Sequence, residues 1–284
     1  MVMNKIIKKY IINPSELKKS LYSNSIKIID CRWFLNQPYK GQKDFDKSHI
    51  PNAIFYDLEK NSNKTSELPH MLPNKLQFQK FISKSDISKN KLIIIYDQNG
   101  FFCSSRMWFT FKLYNFKKIK ILNGGFDQWI KKKYPINNIQ TNINKKQKAN
   151  ETNNFLKLSK NMVVKKKYVK EKLTSIDKTI IVDARPKERF LGISPEPRKN
   201  LKSGNISGSI NIPYNKLSNK DGKILGFFKL KELIEKKVQS KKTDEIICSC
   251  GSGVTACNII LILDILGYKN IKLYDGSWAE WGKK

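Results

Sequence analysis

At 284 residues the chain is long enough for two domains of ordinary size, and 39% hydrophobic residues can fill a core, which excludes wholesale disorder. No run of about 18 apolar residues is free of charge, which excludes a membrane-spanning helix. Residues 1–10 lack the apolar centre and cleavage site of a signal peptide, so a cytoplasmic protein is expected. The net charge of +31 invites a nucleic-acid partner, yet the lysines are scattered among asparagines and isoleucines as an A/T-rich coding bias would scatter them. No nucleic acid or membrane partner is expected; the positive field attracts anionic substrates instead. Among 55 basic residues only Arg32, Arg106, Arg185, Arg189 and Arg198 are arginine, and these are expected where a planar, bidentate fork is needed. Five cysteines, an odd number, argue against a disulfide scaffold.

The first predicted strand is 26–30, followed by Cys31-Arg32-Trp33. His49-Ile50-Pro51 then forms an extended turn, because a residue before proline avoids the helical region. Residues 92–97 read as a buried strand, 104–114 as an aromatic-rich helix, and 119–129 as strand, Gly124-Gly125 turn and helix. Residues 138–160 are rich in Asn, Lys, Gln and Thr and read as a linker. The order then recurs: strands at 180–185 and 246–250, a turn at 204–211, and strand, turn and helix at 271–281. The spacing recurs with it. Asp30 to Asp97 is 67 residues and Asp183 to Cys250 is 67; Gly124 follows Asp97 by 27 and Gly276 follows Cys250 by 26. The expected class is α/β, with two tandem domains (1–137 and 161–284), each a mostly parallel sheet flanked by helices.

In this register Asp97 stands where Cys250 stands, so the first domain carries no nucleophile. Cys103, six residues on, reads as a small buried hydrophobe. The stretch Cys250-Gly251-Ser252-Gly253-Val254-Thr255-Ala256 runs from a strand end through a glycine-rich turn into an apolar helix. Ligands of open α/β sheets bind at such turns, where N–H groups and the helix dipole favour negative charge. A cysteine there is held as a thiolate, and the thiolate is the nucleophile. A phosphatase would place arginine six residues after the cysteine, but Ala256 stands there. Zinc would have only Cys248, Cys250 and Cys257, crowded and without a histidine nearby, so no metal or cofactor is expected. Cys248 and Cys257 read as packing. A non-catalytic binding module would be the reading if Cys250 were absent.

The tandem repeat, the Cys250 loop and the ending Tyr274-Asp275-Gly276-Ser277-Trp278-Ala279-Glu280-Trp281-Gly282 resemble the two-domain rhodanese superfamily, over about residues 14–282. The resemblance implies a rhodanese-like first domain without a nucleophile and a catalytic second one. It implies that Cys250 takes sulfur from a small donor, holds it as a persulfide, and passes it to cyanide or a thiol such as thioredoxin or a low-molecular-weight thiol. Backbone donors of Gly251, Gly253, Val254 and Thr255 would cradle the anionic sulfur. Family members that prefer thiosulfate carry basic residues directly after the cysteine; Gly251 and Ser252 here point to 3-mercaptopyruvate, releasing pyruvate. Thiosulfate is the alternative donor, and a sulfur-carrier or redox-binding protein loaded by a partner is the alternative class.

By the same resemblance Arg189 and Arg198, in 187–198, bind the substrate's carboxylate and keto oxygens. Pairing with Glu188 or Glu196 is the plain structural alternative. His70 would join Ser252 and Glu59 in a proton relay, although Glu59 stands where the family usually has aspartate, and a methylene displaces a carboxylate by about 1.5 Å. Arg32 after Asp30, and Arg185 after Asp183, read as internal ion pairs. His49, replaced by Asn205 in the second half, reads as structural.

Overall fold

Strands that are apolar at successive positions must be covered on both faces, and here the isoleucine runs build two such sheets. The computed structural model of the chain describes residues 2–138, 156–159, 161–176 and 178–284, with the side chains of 2–4 left aside. The first sheet comprises β1 (Ile11–Ile12), β2 (Ile26–Asp30), β3 (Ala53–Phe55), β4 (Leu92–Tyr96) and β5 (Ile119–Leu122), in the order β1-β5-β4-β2-β3. The second comprises β6 (Val163–Val164), β7 (Thr179–Asp183), β8 (Ile210–Asn211), β9 (Glu245–Ser249) and β10 (Ile271–Tyr274), in the order β6-β10-β9-β7-β8. Every named pairing is parallel. Asp30 is level with Tyr96, and Asp183 with Ser249. The next residues, Asp97 and Cys250, therefore occupy the same place, one step past the end of a central strand. Each of those strands ends one residue earlier than expected, which puts both side chains in loops.

Most of the expected linker lies outside the described residues. Its end does not hang free: Leu156 is buried in the main core, Ser159 N–H donates to Leu113 O at 2.7 Å, and Asn115 Nδ2 donates to Lys157 O at 2.8 Å. An amino-terminal helix, Val2–Tyr10, and the two-residue edge strands β1 and β6 are additions to the expected elements. Among the described residues no helix is long and apolar enough to cross a membrane.

The helices Ser104–Leu113 and Ala256–Ile265 are buried nearly all round, the second because it is almost wholly apolar and the first despite Ser104, Ser105, Arg106 and Thr110. They pack on each other, and one continuous apolar cluster takes in Met107, Phe109, Ile260 and Leu263 from the two domains. The domain interface is thus part of the core, and it holds the two strand-end loops in fixed relation.

The duplicated arginines behave as expected. Arg32 pairs with Asp30 and Arg185 with Asp183, each at 2.7 Å and buried. Each guanidinium also lies over an aromatic ring, Phe126 at 4.3 Å and Trp278 at 4.4 Å. A fork that bonds and stacks at once is a task for arginine rather than lysine. His49 is structural: its Nδ1 lies 2.7 Å from Phe45 O and its ring stacks on Phe45.

Candidate active site

The glycine-rich turn is shaped by one hydroxyl. Ser277, at φ 49°, accepts hydrogen bonds from Cys250 N–H at 3.1 Å and Gly253 N–H at 3.0 Å, and donates to Tyr274 O at 2.8 Å. Cys250 O and Gly251 O are tied to Trp278 N–H and Ala279 N–H, both at 2.9 Å. Among the described residues nothing accepts from the N–H groups of Gly251, Ser252, Val254 or Thr255. Gly253 contributes conformation rather than a donor. Its φ is 74°, its N–H is spent on Ser277, and a Cβ there would meet an Asp275 oxygen at 2.6 Å. Cys250 itself is 2% exposed.

Cys250, Gly251, Ser252, Val254 and Thr255 line a pocket of about 480 Å³, walled by Arg189 and Arg198 together with Trp33, Phe102 and Tyr214. The arginines overhang the loop: a Cβ on Gly251 would lie 3.0 Å from Arg189 Nη2 and 3.8 Å from Arg198 Nη1. Glu196 is buried between Arg185, at 2.7 Å, and Arg189, at 2.5 Å. The alternative pairing with a local glutamate is therefore realised for Arg189. It orients the guanidinium without removing it from the pocket, because Asp183, Arg185, Glu196 and Arg189 balance one another. Arg198 has no carboxylate partner among the described residues; its Nη2 lies 3.3 Å from His70 Nδ1 and 3.5 Å from Ser252 Oγ. Burial lowers the Arg198 pKa, charge on Cys250 favours the cation, and Arg189 opposes it.

His70 reaches across from the first domain. Its Nδ1 lies 3.0 Å from Ser252 Oγ and its Nε2 lies 2.9 Å from Glu59 Oε1. The extra methylene of Glu59 is absorbed: the residue sits in the short helix Leu58–Asn61, and Trp33 Nε1–H also donates to Oε1, at 2.7 Å. The His70 hydrogen bond, supported by Trp33, holds the Glu59 pKa at about 2 against the effect of burial. An ionised Glu59 selects the His70 tautomer protonated on Nε2 and leaves Nδ1 to accept from Ser252 Oγ–H.

Family comparison agrees with this geometry. A family model described as the rhodanese-like domain matches residues 13–132 and again 165–284. The chain belongs to the rhodanese family. Mouse 3-mercaptopyruvate sulfurtransferase is 32% identical over 93% of this chain and 88% of the relative. Mouse thiosulfate sulfurtransferase is 30% identical over 100% of this chain and 95% of the relative. The crystal structure of SseA from Escherichia coli, described as a 3-mercaptopyruvate sulfotransferase, superposes with a TM-score of 0.80 at 28% identity, covering 95% of this chain and 99% of that one. The activity class is sulfur transfer.

In this rhodanese-family sulfurtransferase the first domain keeps the same cradle with a different occupant. Asp97 Oδ1 accepts from Gly100 N–H at 2.5 Å, and Oδ2 accepts from Cys103 N–H at 2.8 Å and Ser104 N–H at 2.9 Å. The carboxylate fills its own loop. Cys103 is buried, as expected. Cys248 and Cys257 are fully buried too, and burial pushes the Cys248 thiol well up and the Cys257 thiol up to about 12.

Besides Ser277, three contributors were given no role in the site from the sequence: Arg106, Asp275 and Trp33. Arg106 Nη2 donates to His70 O at 2.6 Å, Nη1 donates to Gly253 O at 3.2 Å, and the guanidinium pairs with buried Asp275 at 2.6 Å. Asp275 in turn accepts from Leu72 N–H at 2.8 Å. This pair clamps the left-handed backbone of His70 (φ 57°) against the Cys250 loop. The scarcity of arginine was the available signal. Trp33, which fixes Glu59 and meets the His70 ring edge-on at 4.8 Å, carried none.

Proposed function

We propose that the rhodanese-family chain moves sulfur from 3-mercaptopyruvate through a persulfide on Cys250 to a thiol or cyanide acceptor. The Cys250 thiolate attacks the donor sulfur, the carbon–sulfur bond breaks, and its electron pair leaves on the three-carbon fragment as the enolate of pyruvate. Arg198 and Arg189 face the carboxylate and keto oxygen, where negative charge grows as the enolate forms. The donor's thiol proton, released as the outer sulfur becomes anionic, reaches the departing carbon by way of Ser252 and the basic Nδ1 of His70, whose orientation Glu59 maintains. The unspent N–H groups of Gly251, Ser252, Val254 and Thr255 receive the anionic outer sulfur.

One observation carries the donor assignment: directly after Cys250 the loop offers no cation of its own, only Gly251 and a Ser252 hydroxyl wired to His70 and Glu59. Such wiring serves a leaving group that needs a proton, and sulfite leaving from thiosulfate needs none. Thiosulfate remains the second reading, because two guanidiniums overhang Gly251 and a dianion would satisfy both. Steady-state kinetics of the purified protein with both donors and cyanide as acceptor test the choice. The kcat/KM for 3-mercaptopyruvate is expected to exceed that for thiosulfate, with stoichiometric pyruvate release; the opposite order overturns it. Mass spectrometry after donor alone is expected to find one added sulfur on the peptide containing Cys250.

A further inference from the structure

A second cavity, of about 350 Å³, adjoins the Cys250 pocket, and Trp33, Leu35, Phe102 and Tyr214 line both. The ridge between the chambers is aromatic: Phe102 stacks on Trp33 with centroids 5.7 Å apart and meets Tyr214 edge-on at 5.4 Å. The chambers differ in charge. Arg189, Arg198 and Glu188 face the first, whereas no Lys, Arg, His, Asp or Glu lines the second. In a chain of net charge +31 the second chamber is instead bordered by the carboxamides of Gln37, Gln98, Asn99 and Asn215. Gln98 Nε2 donates to Trp33 O at 3.3 Å and its Oε1 is sealed from solvent, whereas Gln37 and Asn215 stand exposed at the chamber's rim. The wall also holds Phe101 at φ 95°, unusual for a bulky residue, and Asn258 Nδ2 and Ser104 Oγ secure its backbone.

We propose that this chamber docks the sulfur acceptor, and that the acceptor class it fits is a small uncharged thiol bearing peptide-type amides. The acceptor's amide groups meet the exposed carboxamides of Gln37 and Asn215, and the thiol crosses the aromatic ridge to Cys250. The volume lies within the range of pockets that enclose small molecules, about 300–1,000 Å³. The acceptor's thiolate attacks the outer sulfur of the Cys250 persulfide, a sulfur–sulfur bond forms on the acceptor, and the bond to Cys250 breaks. Cys250 leaves as a thiolate, so the step needs no oxidant or reductant. A neutral chamber keeps the acceptor from competing with the anionic donor for Arg189 and Arg198. The proposal rests on the persulfide reading above.

The test uses the full-length protein with 3-mercaptopyruvate as donor and three acceptors: N-acetylcysteinamide, 2-mercaptoethanol and cyanide. Asn215→Trp fills the chamber from an exposed rim position, and Gln37→Leu removes an exposed carboxamide from the same rim. In both variants the KM for N-acetylcysteinamide should rise at least about fivefold, the worth of one lost hydrogen bond. The KM for donor and the turnover with cyanide should stay within about twofold of wild type, inside the scatter that surface substitutions produce. An unchanged KM for N-acetylcysteinamide in Asn215→Trp, or an equal change for cyanide, overturns the acceptor chamber and leaves the donor reading standing. Absence of pyruvate release by wild type with cyanide overturns the donor reading itself.

Discussion

The Asp97 and Cys250 loops are the same turn put to two uses. Both begin one residue past a central strand and both lead into an interface helix. In the first, three N–H groups close on the Asp97 carboxylate and the turn is complete in itself. In the second, the N–H groups of Cys250 and Gly253 are drawn off by Ser277, and those of four neighbouring residues are left for something else. A carboxylate built into the chain makes an anion cradle structural; a thiol in its place leaves the cradle open to a transferred anion. The lesson is that one turn can be closed by a side chain of its own or left with unspent N–H groups, according to the residue that follows the strand.

The largest expected effect comes from erasing the difference. Cys250→Asp should abolish sulfur transfer while the protein melts no lower than wild type, since the new carboxylate can satisfy the open N–H groups. Residual turnover in this variant, or in Cys250→Ser, would remove Cys250 from the centre. Next in size, Arg198→Lys keeps the charge over the second loop but loses one arm of the fork. Hydrogen bonds to charged groups are worth about 1.5–3 kcal/mol, so kcat/KM for 3-mercaptopyruvate should fall about 10- to 100-fold; an unchanged value would contradict substrate contact. On the other side of the comparison, Asp97→Asn should lower stability to urea by about 2 kcal/mol, because a neutral amide accepts less strongly from three donors. It should leave kcat within about twofold, as substitutions remote from the chemistry do.

Much of this contrast was legible in the sequence because it is written in spacing. Two separations of 67 residues align Asp97 with Cys250, and the strand registers repeat that alignment. The Arg32 and Arg185 ion pairs follow from their duplication. The occupant of the first cradle was not legible, since an aspartate at a strand end has many uses. Ser277 reads as a small turn residue until its hydroxyl is seen between two N–H groups. Arg106 and Asp275 lie on different domains, and only the packing of the interface helices brings them together. Glu59 looked one methylene too long by local reasoning; the short helix and Trp33 set its reach.

Smaller effects sharpen the comparison further. Gly251→Arg with Ser252→Lys would add two cations to the open loop, and a unit-charge pair near 4 Å gains on the order of 1–4 kcal/mol. The ratio of thiosulfate to mercaptopyruvate turnover should rise at least several-fold, and added salt should reduce the gain. The glycine is crowded by the far end of Arg189 rather than by backbone, so the new side chain can be accommodated by movement there. The smallest effect concerns pH. The Glu59 pKa is depressed to about 2, so its contribution to stability is present in full above the ordinary carboxylate value and is lost as pH falls through about 2. The stability gap between wild type and Glu59→Gln should therefore narrow as pH falls from the ordinary carboxylate value towards about 2; a gap unchanged over that range would contradict an ionised Glu59 paired with His70.

The buried interface helices also govern how the protein is made. The helix Ser104–Leu113, with Trp108, Phe109 and Phe111 buried, packs against Ala256–Ile265, which begins 152 residues later in the chain (256 − 104). Until then the first half leaves uncovered the face of Ser104–Leu113 on which Ala256–Ile265 packs, and exposed apolar surface of that kind favours aggregation. Translation that stops before the second interface helix yields a half that can build its own sheet but has nothing to cover that face.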